Sequence, residues 1–258
     1  MSTIIYPSPI FGPVRSRRLG ISLGINLMPD DGKICTFDCI YCECGLNKDF
    51  RPTHHRPSLL EVTNALRLKL IEMKAAGELP DVLTFAGNGE PTAHPDFPDI
   101  IDNVIALRDE YCPAAKVSVL TNSTMAFKGS VRKALMKVDN NIMKLDTINE
   151  EFIKMVDRPT GHYDVQEIID TMKSFDGHLI IQTMFLKGEV DGHRVENTTD
   201  EYVLPWLEAV KEISPQCVMI YTLDRETPVK GLMKATHQEL DAIRDRVVAM
   251  GVPCSASY

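Results

Sequence analysis

Nothing in this sequence separates one part of the chain from another. No stretch of Pro, Gly or Ser reads as a linker, and no internal repeat or low-complexity segment interrupts the 258 residues, which suits a single domain with one substantial core. No apolar run reaches the roughly 18 residues that a membrane-spanning helix requires. The opening MSTIIYPSPIFGPVRSRR has its apolar and basic residues in the wrong order for a signal peptide, so a cytoplasmic location with no membrane partner is expected. Positive charge is also scarce. Against 36 Asp and Glu stand 28 Lys and Arg, a net charge of −8 that opposes broad adhesion to nucleic acid or to anionic membranes. Two short basic segments remain, Arg15, Arg17 and Arg18 in RSRR and Arg51, His54, His55 and Arg56 in RPTHHR; they read either as a local basic patch flanking the cysteine loop in sequence or as two solvated loops.

What is present is an alternation. Short β-branched and apolar runs at 81–87, 116–122, 141–147, 178–185 and 217–223, each bounded by turn residues, read as strands, and a further one lies within LGISLGINLMP (19–29). Helical patterns occupy 58–77, 97–111, 129–138, 164–175, 201–214 and 235–251, the last with Thr236 three residues before Glu239 as a capping box. About six βα units predict a parallel sheet with helical crossovers. Six are too few for a closed eight-stranded barrel and suit an open, partial one; a doubly wound sheet fits the same pattern. In either architecture ligands collect at the carboxyl ends of the strands. There the sequence places a cysteine loop, then GNGEPT, TNS, DTINE and TLDRETP.

Four of the seven cysteines fall inside ten positions, in KICTFDCIYCECG (33–45). In a reducing compartment clustered thiols bind metal or do redox chemistry more often than they form disulfides. Cys35, Cys39 and Cys42 form C-x3-C-x2-C, a spacing that wraps one face of an iron–sulfur cube and leaves one iron open to a substrate or cofactor. A zinc site with Cys44 as fourth ligand is the alternative, although tetrahedral zinc sites usually assemble from two ligand pairs on separate turns. Cys112, Cys217 and Cys254 are scattered; Cys112 and Cys217 read as small buried apolar residues.

CTFDCIYC, with Tyr41 just before its last cysteine, resembles the signature of the radical S-adenosylmethionine (SAM) enzymes, and GNGEPT resembles that superfamily's Gly-Gly-Glu motif with Asn88 set between the glycines. FGPVRSRRLGISLGINLMP followed by CTFDCIYC, GNGEPT, LTN and KLD is similar to a group of small radical SAM proteins related to the wyosine-forming tRNA enzymes, without the flavodoxin domain that some of those carry. The resemblance implies an α/β fold, a partial (βα)6 TIM-like barrel of the radical SAM type over residues 1–258, with 1–30 packing on the barrel as an N-terminal segment. It implies a [4Fe–4S] cluster on Cys35, Cys39 and Cys42, and SAM chelated to the open iron. One electron passed into the sulfonium releases methionine and a 5′-deoxyadenosyl radical, which abstracts hydrogen from substrate. An external one-electron donor such as flavodoxin or ferredoxin is implied as partner. The substrate is expected to be a small molecule or a protein, with tRNA as the alternative that the acidic balance opposes, and a non-catalytic iron–sulfur or zinc-binding protein as the reading from a different class.

Single positions follow. Gly87 and Gly89 allow close backbone approach, and Glu90 is expected to accept from the methionyl ammonium of SAM; a plain strand-to-helix turn is the simpler account. Lys144 and Asp146, two apart, share a sheet face, and the resemblance puts Asp146 on a ribose hydroxyl and Lys144 on the methionyl carboxylate; a Lys–Asp pair reaching solvent is the alternative. Thr121, Asn122 and Ser123 are placed to touch the cofactor, or form an asparagine turn. Gln182 lines the pocket or bridges backbone. Tyr41 resembles the residue that contacts adenine, and Phe37 shields the cluster. Asp224, Arg225, Arg51, His54 and His55 are the candidates for substrate contact, and no side chain is assigned as a general acid or base.

Overall fold

The structure, a computed structural model, describes residues 3–16 and 20–258; Arg17 and Arg18 of the basic RSRR segment lie outside the described residues. The chain opens with strands β1 (Ile10–Ser16) and β2 (Gly20–Ile25), then alternates through α1 (Leu59–Ala76), β3 (Val82–Phe85), α2 (Phe97–Tyr111), β4 (Lys116–Thr121), α3 (Gly129–Leu135) and β5 (Asn140–Lys144). A short α4 (Glu150–Phe152) runs directly into a π-helical turn, Ile153–Asp157. After it come α5 (Val165–Lys173), β6 (Ile180–Met184), β7 (Leu186–Val190), β8 (His193–Glu196), α6 (Asp200–Ile213), β9 (Cys217–Tyr221), β10 (Leu232–Lys234), α7 (His237–Ala249) and β11 (Cys254–Ser257).

Among the described residues the main sheet runs β1-β2-β3-β4-β5-β6-β9-β11, parallel from β2 onward, with β1 antiparallel on the outside edge. Strand order never reverses. With right-handed crossovers, a one-way order carries every helix to the same side of the sheet, which is the winding of an open barrel and not of a doubly wound sheet. Packing agrees: Leu23, Ile25, Leu83, Phe85, Val117, Val119, Met143, Ile181 and Val218, the outward alternates of their strands, share one core with Leu66 of α1, Ile101 of α2 and Trp206 of α6. The other face is polar. Ser22 meets Thr84 at 2.8 Å, Asn140 donates to Ser118 at 2.8 Å, and Lys144 lies in register with Gln182.

The ends of the helices follow their local chemistry. Ser58 and Glu61 form a capping box at α1, which stops at Gly77 in the left-handed region, and Thr236 with Glu239 forms the expected box at α7. Five strands, β1, β7, β8, β10 and β11, lie outside the sequence pattern. β1 contains Gly12 and Pro13, which read as a turn; Pro is tolerated because the strand is an edge, and its register breaks between Phe11 and Val14. β11 holds only four residues, CSAS, with no apolar signal. β7 and β8 form a hairpin that pairs with β10 in a separate small sheet, and their Asp191-Gly192 turn, with φ of 52° and 78°, is a legible type I′ signal.

Within the described residues, the Phe11 ring of β1 lies over Gly24 of β2. A Cβ on Gly24 would lie 2.2 Å from the Phe11 ring, whose other neighbour is Tyr6 at 4.6 Å between centroids. The substitution Gly24→Ala should therefore displace Phe11, lower stability by about 1–3 kcal/mol, and speed proteolysis within residues 3–16; unchanged melting and cleavage would contradict this packing.

Candidate functional site

The cysteine loop has almost no regular secondary structure, so its shape depends on where its backbone groups are bonded. At its start Lys33 N donates to Phe50 O at 2.7 Å, Ile34 N to Asn88 O at 3.0 Å, and Glu90 N returns to Ile34 O at 3.2 Å. Ile34 and Gly89 thus form a one-residue parallel bridge between the loop and GNGE. Only glycine fits there: Gly89 has φ +143°, and a Cβ would stand 1.8 Å from Ile34 O. Further along, Asp38 N donates to Asp157 O and Ile40 N to Val156 O, and Phe37 bridges Pro159. The π-helical turn therefore serves as a second anchor for the loop, in line with the frequency of such turns at functional sites. Asn47 closes it from the other end, donating to Cys35 O and Phe37 O.

Cys35, Cys39 and Cys42 are half-buried and Cys44 is buried. Burial pushes the Cys35 thiol up to about 12 and raises Cys39 as well, whereas Cys42 is brought down to about 6 by a hydrogen bond from Cys44 and by the Lys33 ammonium. Cys44 Sγ also lies 3.3 Å from Gly87 O. Among the described residues no three of these sulfurs lie within 4.8 Å of one another; the one such trio is Asp30, Asp31 and His54 on the surface. Thiolates sharing a tetrahedral zinc ion would sit just under about 4 Å apart. The thiols are held too wide for one ion, and their softness and spacing suit a polynuclear iron–sulfur group.

The GNGE turn divides its work. The Asn88 side chain points away from the thiols: it accepts from Tyr6 N and donates to Tyr6 O and Pro29 O, each at 2.8 Å, fastening the N-terminal segment. Gly87, at φ +121°, leaves room for Asn26, whose amide holds Tyr6 O and Pro7 O. Glu90 is 2% exposed. Its Oε1 accepts from Thr92 N at 3.0 Å, Thr121 Oγ1 at 2.7 Å and Thr92 Oγ1, which makes it the cap of the short helical turn Pro91–Ala93, while among the described residues Oε2 accepts from Asn122 N alone, at 2.7 Å. Burial raises the Glu90 pKa, and these donors oppose it. Asn122 also reaches the loop, with Nδ2 on Thr36 Oγ1 at 2.8 Å and 3.6 Å from Cys35 Sγ.

Lys144 and Asp146 do meet, at 2.9 Å, but buried, 13% and 1% exposed, so the pair does not reach solvent. Lys144 Nζ also pairs with Asp157, bonds Tyr41 OH and lies 3.5 Å from Cys39 Sγ. Tyr41 OH donates to Asp146 Oδ2, so the end of this ring is directed into the ion cluster. Burial would lower the Lys144 pKa, and the carboxylates of Asp146 and Asp157 more than reverse that; burial also pushes Asp157 up to about 6. Asp146 is fixed from the far side by Met184 N at 2.9 Å. Phe37 is buried against Tyr163 and under Lys144.

The remaining candidates disperse. Arg225 pairs with Glu43 at 2.9 Å, over the cysteine loop. Arg51 is exposed, His54 pairs with Asp30, and His55 with Glu61 at the start of α1. Gln182 lies on the inward face in register with Lys144. Cys112 is buried as expected, but Cys217 is half-buried at the start of β9. Sequence reasoning missed Lys33, Asp157, Asn26 and Asn47. Their partners are distant or backbone groups, and no local pattern marks them.

Comparison with known proteins places this geometry. A model of the Radical SAM superfamily matches residues 31–226, from the cysteine loop to the end of β9 and just beyond. The chain is 31% identical over 229 residues to a UPF0026 protein of Helicobacter pylori, covering 87% of this chain and 69% of that one. It is 29% identical over 237 residues to a protein named GTPase Obg from Brachyspira hyodysenteriae, where it spans 90% of its own length but 32% of the relative's. Among solved structures, Streptococcus suis SuiB bound to S-adenosylmethionine has a TM-score of 0.64 at 12% identity, covering 91% of this chain and 50% of that chain, a likeness of fold. With the superfamily match spanning both the cysteine loop and GNGE, the chain belongs to the Radical SAM superfamily, whose cofactors are a [4Fe–4S] cluster and SAM.

Proposed function

We propose that Cys35, Cys39 and Cys42 hold the cluster and that this chain cleaves SAM reductively to act on a small-molecule or protein substrate. The observation that carries the reading is the Ile34–Gly89 bridge, which fixes three widely set thiols beside a glycine turn and a buried carboxylate with one oxygen still able to accept. When bound, reduced cluster and SAM together supply a 5′-deoxyadenosyl radical for hydrogen abstraction. The chain's own residues bind, orient and shield. Glu90 Oε2, with Asn122 N as its one donor among the described residues, is the acceptor assigned to the methionyl ammonium, while the clearance at Gly87 and Gly89 is taken up by Asn26 and the Ile34 carbonyl, which hold the turn against the loop. Asn122, already 3.6 Å from Cys35 Sγ, borders the same space. Lys144 and Asp146 neutralise each other, so a contact of either with the SAM carboxylate or ribose exchanges part of that pair for the ligand. Phe37 and Tyr41, both buried, keep water from the Cys39 side.

An external one-electron donor of the flavodoxin or ferredoxin class completes the reaction. Net acidity supports a small-molecule or protein substrate over RNA. The wyosine-type tRNA reading would be promoted by tight tRNA binding that weakens steeply with salt; weak, shallow binding is expected.

Two outcomes follow. Anaerobically reconstituted, reduced wild type should release 5′-deoxyadenosine and methionine, slowly without substrate, and a Cys35, Cys39 and Cys42 to alanine variant should release none. Absence of 5′-deoxyadenosine even with cell extract added would favour a non-catalytic iron–sulfur role. Glu90→Gln removes a charge-assisted acceptor worth about 1.5–3 kcal/mol, and should weaken SAM binding about 10- to 100-fold in equilibrium dialysis of holoprotein whose iron content is unchanged.

A further inference from the structure

Lys33 is a cation in an unusual place. It lies two residues before Cys35 and is 4% exposed, although a lysine is almost never fully buried without a partner. Its Nζ donates to Gly45 O at 2.7 Å, and a single neutral carbonyl does not offset the several kcal/mol that burying an ammonium costs. The nearest carboxylate is Asp38, at 3.8 Å, and that oxygen already accepts from Asn47 N at 2.7 Å. The ammonium sits inside the cysteine loop: Cys35 follows two residues on, and Gly45, which it holds, donates from its N to Cys42 O at 2.9 Å, so the charge acts on the thiols of Cys42, Cys35 and Cys39. Lys144 offers the contrast. It also touches a loop thiol, but two carboxylates, Asp146 and Asp157, pair with it directly. Of these two buried lysines, Lys33 has the weaker carboxylate pairing, with Asp38 alone among the described residues and at 3.8 Å.

We propose that Lys33 is an electrostatic positioning residue that raises the reduction potential of the cluster held by Cys35, Cys39 and Cys42. This rests on the proposed cysteine ligation. Reduction adds one electron from the external one-electron donor and no proton, so it adds one negative charge to a site already lined with thiolates. A fixed ammonium inside the cysteine loop favours the more negative state, and hydrogen bonds to cluster sulfurs act in the same direction. Lys33 therefore makes the cluster reducible by a donor of moderate potential.

The test is an EPR-monitored redox titration of reconstituted wild type, Lys33→Met, Lys33→Gln and Lys33→Arg, without SAM and at one pH. The neutral variants should shift the midpoint to more negative values by at least a tenfold change in the reduced-to-oxidised ratio, about 59 mV for one electron, while Lys33→Arg stays near wild type. An unchanged midpoint would overturn the inference. So would a shift to more positive values, because water admitted by a loosened loop stabilises the reduced cluster. Loss of iron binding in both neutral variants, with wild type loading normally, would make Lys33 a residue of loop folding and also overturn it. If wild type itself binds no iron, the cysteine ligation fails first, a result separable from the rest.

Discussion

Ile34 and Gly89 approach so closely that the Ile34 carbonyl occupies the position where any other residue at 89 would carry its Cβ, 1.8 Å away. Two backbone hydrogen bonds, Ile34 N to Asn88 O and Glu90 N to Ile34 O, hold the contact. Everything nearby takes its position from this one bridge. On one side of it stand Lys33 and Cys35, on the other Asn88 and Glu90. Glu90 in turn gathers Thr121 and the Asn122 backbone from the end of β4, and Asn122 returns to Thr36 in the loop, closing a circuit of contacts across three strand ends. The circuit is polar throughout and mostly buried, so each member is held by the cost of leaving another unsatisfied.

A loop without its own helix or strand needs anchors at more than one point, and the chain supplies them from opposite directions. The π-helical turn after β5 bonds the backbone of Asp38 and Ile40 and brings Asp157 against Lys144. A second apolar cluster grows around this contact: Ile40 and Tyr41 of the loop, Phe152 of α4, Val156 of the turn, and Leu186, Val190 and Val195 of the small sheet. The hairpin β7–β8 is thereby tied to the loop through packing alone, separate from the main core. On the other flank the N-terminal segment is secured by Asn26 and Asn88, two buried amides whose hydrogen bonds go to backbone groups of residues 6, 7 and 29.

Much of this was legible in the sequence because its causes are local. Alternating βα patterns, capping boxes and strand-end motifs depend on neighbours a few residues apart, and strands β2 to β6 and β9, with helices α1, α2, α3, α5, α6 and α7, appear where the periodicity puts them. The cysteine spacing and the glycines of GNGE were legible for the same reason. What stayed hidden depends on distant partners. Asn88 looks like a cofactor residue between two glycines, yet its amide faces Tyr6, 82 residues away. Lys144 and Asp146 read correctly as sharing a face, but the third member, Asp157, comes from a π-helical turn that no short-range pattern announces. Lys33 carries no mark in the sequence at all, because its burial follows from the fold of the loop around it.

The central claim is that three thiols on this loop hold a cube of iron and sulfur with one iron left for SAM. The most direct measurement is a Mössbauer spectrum of protein reconstituted with ⁵⁷Fe, recorded with and without SAM. The account predicts a [4Fe–4S] cluster in which one iron of four changes its isomer shift on SAM addition, while the other three keep theirs. Four iron sites indifferent to SAM, or a protein that retains zinc and takes up no iron, would contradict it.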